Sequence, residues 1–586
     1  MARKGRMRRK PKGRFFVVTA LLILFIIAVV LAISILSGKN NPPAPIEPGN
    51  SPAPGASGAP EQSPIANPTA EPMFSPHPVE GTRPSDFGML TGMMVDGKEV
   101  DSYTRKDRVS FGVGERYSAL EGVITFRGNN FRDSAAYGTA TVTNKKFGAV
   151  KWAVATGSLP KMVGSGSWTG SGWTGQPLIV KWPKETKKIM NMYDWAKEKE
   201  GLVEAIYATM DGDIYFIDIE TGEKTRDNIA LKHPFKGAGA LDPRGIPLMY
   251  LGSGDASPTE GSSSQKAFVV SLVTGEILYE FGKKDDFALR SWHAYDSSPI
   301  VCAQSDTLIY PGENGIVYMM KLNTQYDEAA GTLSVHPSEV VKWRYKADRS
   351  NKNEKYWLGV EASVAAFKDY IIFPDNGGLL MCVNVNTNEI VWVQDTLDDT
   401  NCSPVLEFED GHPYVYVSTS FHAGWRAGAD EKAAVPIWKI DAETGEIVWR
   451  KDYMCGTVSD LSGGVQGTLA IGKGKLSDFI FVPISRTPSR NSGILVALDK
   501  KTGEEKWTFE MENYPWSSPV IIYDEEGNGY IIQCNQAGNM YLIDGITGQL
   551  LDTINLGGNI EASPAVFNGM IVVGTRQNRI FGIPIK

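Results

Sequence analysis

One short pattern returns along the chain and limits what it can become. KIDAETGEIVW ends at Trp449 and ALDKKTGEEKW at Trp507 in one frame, and VNVNTNEIVW ends at Trp392 with the same Thr-to-Trp spacing. Weaker copies surround Thr221, Thr274 and Thr547, and the gap after Thr274 leaves room for another copy ending in KWRY at Trp343. Spacings of about 45–60 residues suit a four-stranded unit that cannot bury its apolar face alone and must stack on its neighbours. A single ordinary core is excluded, as is a small disulfide-stapled module, by the length of 586 residues.

Each copy alternates apolar and polar residues, turns at Asp-x-x-Thr-Gly, and alternates again, which predicts two strands around a tight turn. The carboxylates of Asp218, Asp441, Asp499 and Asp544 would fold back onto the turn amides, so the motif is structural. Upstream lie strand starts at Ser298-Pro299, Ser403-Pro404, Ser518-Pro519 and Ser563-Pro564 and turns such as Asp211-Gly212, Asn314-Gly315 and Asn376-Gly377. Every repeat therefore reads as a four-stranded antiparallel meander. Third strands fall near Ile214, Phe268, Val317, Leu380, Ile437, Leu495, Tyr541 and Ile580, which makes eight. The last repeat lacks a fourth strand, and Ala149–Val154 has the composition to supply it. Pairing the two ends would close a ring and remove its open edge, so the expected fold is all-β, an eight-bladed β-propeller over residues 149–586.

The frame x-x-D-x-x-T-G-x-x-x-W with Ser-Pro strand starts resembles the propeller repeat of pyrroloquinoline-quinone (PQQ) enzymes and of the Bam-complex assembly lipoprotein, over about Gly122 to Lys586. Phe126-Arg127-Gly128-Asn129-Asn130 resembles the opening that often precedes the first strand in such proteins. The resemblance implies that Trp152, Trp343, Trp392, Trp449 and Trp507 dock one blade on the next. It leaves function open, because that propeller hosts dehydrogenases, scaffolds and sensors. The enzymes commonly carry two adjacent cysteines beside the cofactor, and none are adjacent here; the assembly factor is a lipoprotein, and no Cys follows the apolar N-terminal stretch.

The N-terminus fixes the expected compartment. Eight Lys and Arg residues fall within positions 1–14, and Phe15 to Leu36 follow without a charge. At 1.5 Å per residue that stretch reaches about 33 Å, enough to span a bilayer core of about 30 Å. It reads as a transmembrane signal anchor with the basic tail cytoplasmic and the rest of the chain outside; a cleaved signal peptide is the rival reading. Residues 37–85 are a Pro-rich stalk, with thirteen prolines between Asn40 and Ser85, too poor in apolar residues to fold. Residues 86–148 read as a lead-in, a cap or a strap. Beyond the tail, 51 basic residues face 67 acidic ones, which excludes an electrostatic nucleic-acid binder. Cys302, Cys382, Cys402, Cys455 and Cys534 show no metal or disulfide spacing and read as buried thiols.

A binding site is expected where loops joining second and third strands meet the loops entering the innermost strands. Ser253–Gln265, Phe421–Ala434 and Arg486–Asn491 lengthen that face, and Trp425 and Arg426 lie in one of them. Aligning the residue two before each strand-start Ser gives Asp296, Glu361, Asn401, Trp516 and Glu561, an oxygen-rich arc at the axial mouth. Asp296, Glu361 and Asn401 are residue types that take Ca²⁺, and Trp292, Trp357 and Trp516 would offer a platform for a planar cofactor. The plainer reading is that these groups cap their own turns and pack the loops. Three functions follow: a non-enzymatic binding or scaffold protein for envelope proteins or polymers; a quinoprotein dehydrogenase using PQQ and calcium; and a ligand-sensing ectodomain that signals through a partner.

Overall fold

The repeated turn folds as its residues dictate. Asp441 Oδ1 accepts the amide hydrogens of Glu443 (2.8 Å) and Thr444 (3.0 Å), the Gly445 amide returns to the Asp441 carbonyl (2.8 Å), and Gly445 takes a φ of +76°. Trp392 of the preceding blade lies against that glycine and donates Nε1–H to the Ala442 carbonyl (2.9 Å). Trp449 does the same at Gly503 and Lys500 O (2.8 Å), Trp507 at Gly548 and Gly545 O (3.2 Å), and Trp152 at Gly222 and Ile219 O (2.7 Å). Turn and tryptophan thus form one inter-blade joint. Trp343 departs from this scheme: it is fully buried against Tyr345 and Phe373, and its Nε1 has no hydrogen-bond partner. A Cβ at Gly445 would stand 2.8 Å from the Trp392 ring. Gly445→Ala combines positive-φ strain with that clash and is expected to cost about 2–4 kcal/mol, read as a lower urea midpoint.

In this computed structural model the described residues are 73–172, 175–352, 358–426, 428–429, 431–458 and 461–586. The basic tail 1–14, the apolar stretch 15–36 and stalk residues 37–72 lie outside them. No helix among the described residues is long and apolar enough to cross a membrane. Eight antiparallel sheets form the ring, with third strands at Asp213–Asp218, Ala267–Ser271, Ile316–Lys321, Leu379–Asn384, Lys432–Asp441, Gly493–Asp499, Asn539–Asp544 and Arg579–Pro584. The last blade takes its outer strand from Trp152–Ala155, which pairs antiparallel with Arg579–Gly582, so the two ends of the repeat array close the ring. The core is divided into eight apolar clusters among the described residues, each shared by two neighbouring blades. The five cysteines are buried free thiols.

The strand-start hydroxyls carry a second ring of contacts. Ser363 Oγ accepts the Ser298 amide (2.8 Å), Ser403 Oγ that of Ser363 (2.9 Å), Thr468 Oγ1 that of Ser403 (3.0 Å), Ser518 Oγ that of Thr468 (2.9 Å) and Ser563 Oγ that of Ser518 (3.0 Å). A belt of hydrogen bonds therefore links six consecutive blades around the axis, which accounts for the Ser or Thr that these six repeats keep at the strand start.

The lead-in does two things. Leu90–Val95 and Lys98–Val100 form a hairpin on the outer edge of blade 3, paired to Ser338–Lys346. Residues 121–137 then enter the axis from the face of the first-to-second strand loops and touch every blade. Glu121–Val123 pairs with blade 1, Ile124 O accepts from Leu241, and Thr125 Oγ1 meets Ser298 Oγ at 3.0 Å. Asn130 O and Phe131 O accept from Ala366 and Leu406; Arg127 reaches Leu469 O and Pro519 O; Ala136–Tyr137 runs parallel to blade 8. The stalk boundary at 85 needs correction. Ser75 and Thr82 already bond to Glu443 and Thr444, and Phe74 packs on Phe367 and Tyr370, because one Phe and a few backbone groups suffice to dock an extended Pro-rich segment.

Candidate functional site

With one end of the axis filled by residues 121–137, the other end remains as a cavity of about 260 Å³. Its lining comes from the loops that open each second-to-third strand turn and those that lead into the innermost strands: Trp168, Met210, Lys236, Arg290, Trp292, Asp296, Glu313, Glu361, Glu561 and Arg576. Four of the expected residues, Asp296, Glu361, Glu561 and Trp292, are among them. Asn401 stands outside the lining, its amide held by Gln466 Oε1 (3.1 Å) from the next blade. Trp516 is buried beside Tyr514. Trp425 stacks on His422 at 4.7 Å, and Arg426 binds Asp398 (3.2 Å) and Ala434 O (2.6 Å), so both serve the long loop of blade 5. Trp357 lies outside the described residues.

Opposite charges alternate around the cavity at loose distances. Lys236 Nζ is 3.8 Å from Asp296, Arg290 is 3.9 Å from Glu313 Oε2, and Arg576 is 3.7 Å from Glu561. Arg290 also donates to Asn376 Oδ1 (3.2 Å), which passes the contact to Asp399 (2.8 Å) and so towards His422. Burial pushes the Asp296 carboxyl up to about 7, with repulsion from Glu361 and Asp255 adding and Lys236 opposing. Burial, then Glu361 and Asp296, hold Glu313 well above the usual carboxylate range. Asp399 rises to about 8 through burial and Glu361. Burial works against the Lys236 charge, yet the surrounding carboxylates outweigh it and raise its pKa. The site is short of positive charge for the acids it holds.

Among the described residues no group of three or more His, Cys, Asp or Glu side chains is arranged to hold a metal ion. The calcium set of Asp296, Glu361 and Asn401 is broken by the withdrawal of Asn401 to Gln466. Nor does the lining fit pyrroloquinoline quinone, a planar polycarboxylate. The Lys236 ammonium stands 5.4 Å from the Trp168 ring and 5.6 Å from the Trp292 ring, over the faces on which a flat ring would stack, and four acids face three cations. No cysteine lines the cavity. Trp168, Met210, Lys236, Arg290, Glu313 and Arg576 lie outside the strand-start register that marks Asp296, Glu361 and Glu561. Aligning the turns Met210-Asp211, Glu313-Asn314, Asn376-Gly377 and Arg576-Gln577 would have found three lining residues.

No curated protein matches the sequence. Residues 491–586, the last blades, match the PQQ-repeat family described as outer membrane protein assembly factor BamB. Quinohemoprotein alcohol dehydrogenase ADHIIG from Pseudomonas putida HK5 superposes with a TM-score of 0.52 at 11% identity, over 82% of this chain and 83% of that one. BamB from Moraxella catarrhalis aligns over 65% of this chain and 93% of its own, at 16% identity and a TM-score of 0.44. Repeat sequence, blade count and ring closure agree: the chain is an eight-bladed β-propeller, and its last blades match the PQQ-like repeat family.

Proposed function

We propose that this propeller is a non-enzymatic binding or scaffold protein of the cell envelope, anchored through residues 15–36 and exposed on the outer side of the membrane. The observation that carries the reading is the axial cavity, where the protein's own Lys236 stands over both the Trp168 and the Trp292 ring. The lysine stands over the rings on which a flat cofactor would stack, and the loop-rimmed face around it is suited to binding. The match of the last blades to an assembly-factor family supports the same choice. Envelope proteins or polymers are the partners, and the stalk holds the ring away from the bilayer so that the loop face is free to meet them.

Two measurements on the full-length protein in detergent or nanodiscs test this. Calcium and pyrroloquinoline quinone added together should leave the melting temperature unchanged; a real cofactor at a hundredfold excess over its Kd would add about 2.7 kcal/mol. A shift that needs both would replace this reading with the dehydrogenase. A photo-crosslinker at Arg490, exposed on the loop face, should give discrete adducts in the native membrane, whereas one at Lys188, among the first-to-second strand residues of blade 1, should give few. Equal labelling from both faces would count against the loop face as the binding surface.

A further inference from the structure

The cavity treats its own lysine as a ligand. Lys236 Nζ lies over two indole rings, at 5.4 and 5.6 Å, and 3.8 Å from a carboxylate, the setting in which proteins hold alkylammonium groups. Space remains beyond it, and two buried oxygens there are unanswered. Glu313, its side chain 2% exposed, has Oε2 at 3.9 Å from Arg290 while Oε1 has no hydrogen-bond partner. Glu361 Oε2 is likewise buried without one. A buried acceptor left unmade costs about 1–3 kcal/mol, more when charged, so these atoms favour a donor from outside. Trp168, Trp292 and Met210 supply an apolar wall. At about 260 Å³ the space falls below the 300–1,000 Å³ typical of drug-sized ligands.

We propose that the axial cavity binds a primary alkylammonium, its N–H donors on Glu313 and Glu361 and its methylenes against the tryptophans. The proposal rests on the binding-protein reading and names the chemistry of that site. A metal ion is a poorer occupant, because the lining oxygens are interleaved with Lys236 and Arg290 and no metal-holding group occurs among the described residues. The ammonium has two sources, a free diamine or the tip of a lysine side chain on a partner, and the cavity's size admits either.

Calorimetry on the full-length protein with 1,4-diaminobutane, an N-acetyl-lysine amide, 1,4-butanediol and CaCl₂ decides the matter. Saturable binding of an amine with none by the diol is the expected result. Binding of both amines assigns the site to a lysine tip, and binding of the diamine alone assigns it to a free amine. Glu313→Gln with Glu361→Gln should weaken binding about tenfold or more. Trp292→Leu, which leaves the acids in place, should weaken it in parallel and guards against loss of folding in the acid variant. No saturable amine binding, binding of Ca²⁺ in place of the amine, or full affinity in both variants would overturn the proposal. Failure here leaves the envelope-binding reading standing, since that reading falls only to the cofactor melt or the crosslinking pattern.

Discussion

Arg132→Ala is expected to lower stability by about 3–5 kcal/mol, although Arg132 touches no carboxylate among its hydrogen-bond partners and lies far from any surface. Its guanidinium is fully buried in the axis and donates to Val364 O (2.8 Å), Thr125 Oγ1 (2.8 Å), Phe126 O (2.9 Å) and Ser298 O (3.3 Å). Burial lowers its pKa to about 10, which marks the cost of holding that charge away from water. Truncation releases this cost but leaves a cavity and several acceptors unmade in a closed channel, and each of those is worth about 1–3 kcal/mol. Urea unfolding of Arg132→Ala and Arg132→Met separates the causes. Methionine keeps the volume without the donors, so a Met variant nearly as weak as Ala would assign the loss to the hydrogen bonds. A change below 1 kcal/mol in both would mean that the axial segment is not what ties the blades at the centre.

Glu204→Ala should have an effect of similar size in a different place. Glu204 is fully buried in the second strand of blade 1 and receives Arg226 through both oxygens (2.9 and 2.7 Å), Trp182 Nε1–H (3.0 Å) and the Thr225 hydroxyl. Arg226 in turn reaches Leu272 O on blade 2 (3.1 Å) and lies over the Phe216 ring. Removing the acid strands a buried guanidinium, at a cost of about 3–5 kcal/mol. Replacing both partners, Glu204→Met with Arg226→Met, should recover much of the loss, because the desolvation of both charges is then avoided. The exposed pair Lys188–Glu185 gives the contrast: its deletion should leave the urea midpoint essentially unchanged. If the double replacement is as weak as Glu204→Ala, the pair contributes more than charge balance.

Much of the ring could be read from the residues because its signals are local. Asp441, Thr444 and Gly445 specify a turn through atoms within a few residues, and the same few residues recur, so strand count and closure by Ala149–Val154 follow. Trp343 shows the limit: its KWRY looks like the others, but the insertion before it moves it to the other end of its strand pair, opposite Val317. The axial arc was half legible. Asp296, Glu361 and Glu561 share a register that repeats, whereas Asn401 shares it and yet turns to Gln466, a choice made by a neighbour 65 residues away. Lys236 and Arg290 belong to no repeated register, and only the closed ring brings them beside Glu313. The role of residues 121–137 was invisible for the same reason, since their partners are spread over all eight blades.

The strand that completes the ring carries a cost in time. Trp152–Ala155 is made more than four hundred residues before Arg579–Gly582, its partner. Until then the early strand has no mate, and the terminal blade afterwards waits on a loop of more than four hundred residues to close. An unpaired strand edge in that interval is open to the edges of other chains. The ring is therefore most vulnerable to aggregation before blade 8 is made, and deleting Arg579–Pro584 should be far more damaging to yield than the small share of buried surface in that strand would indicate.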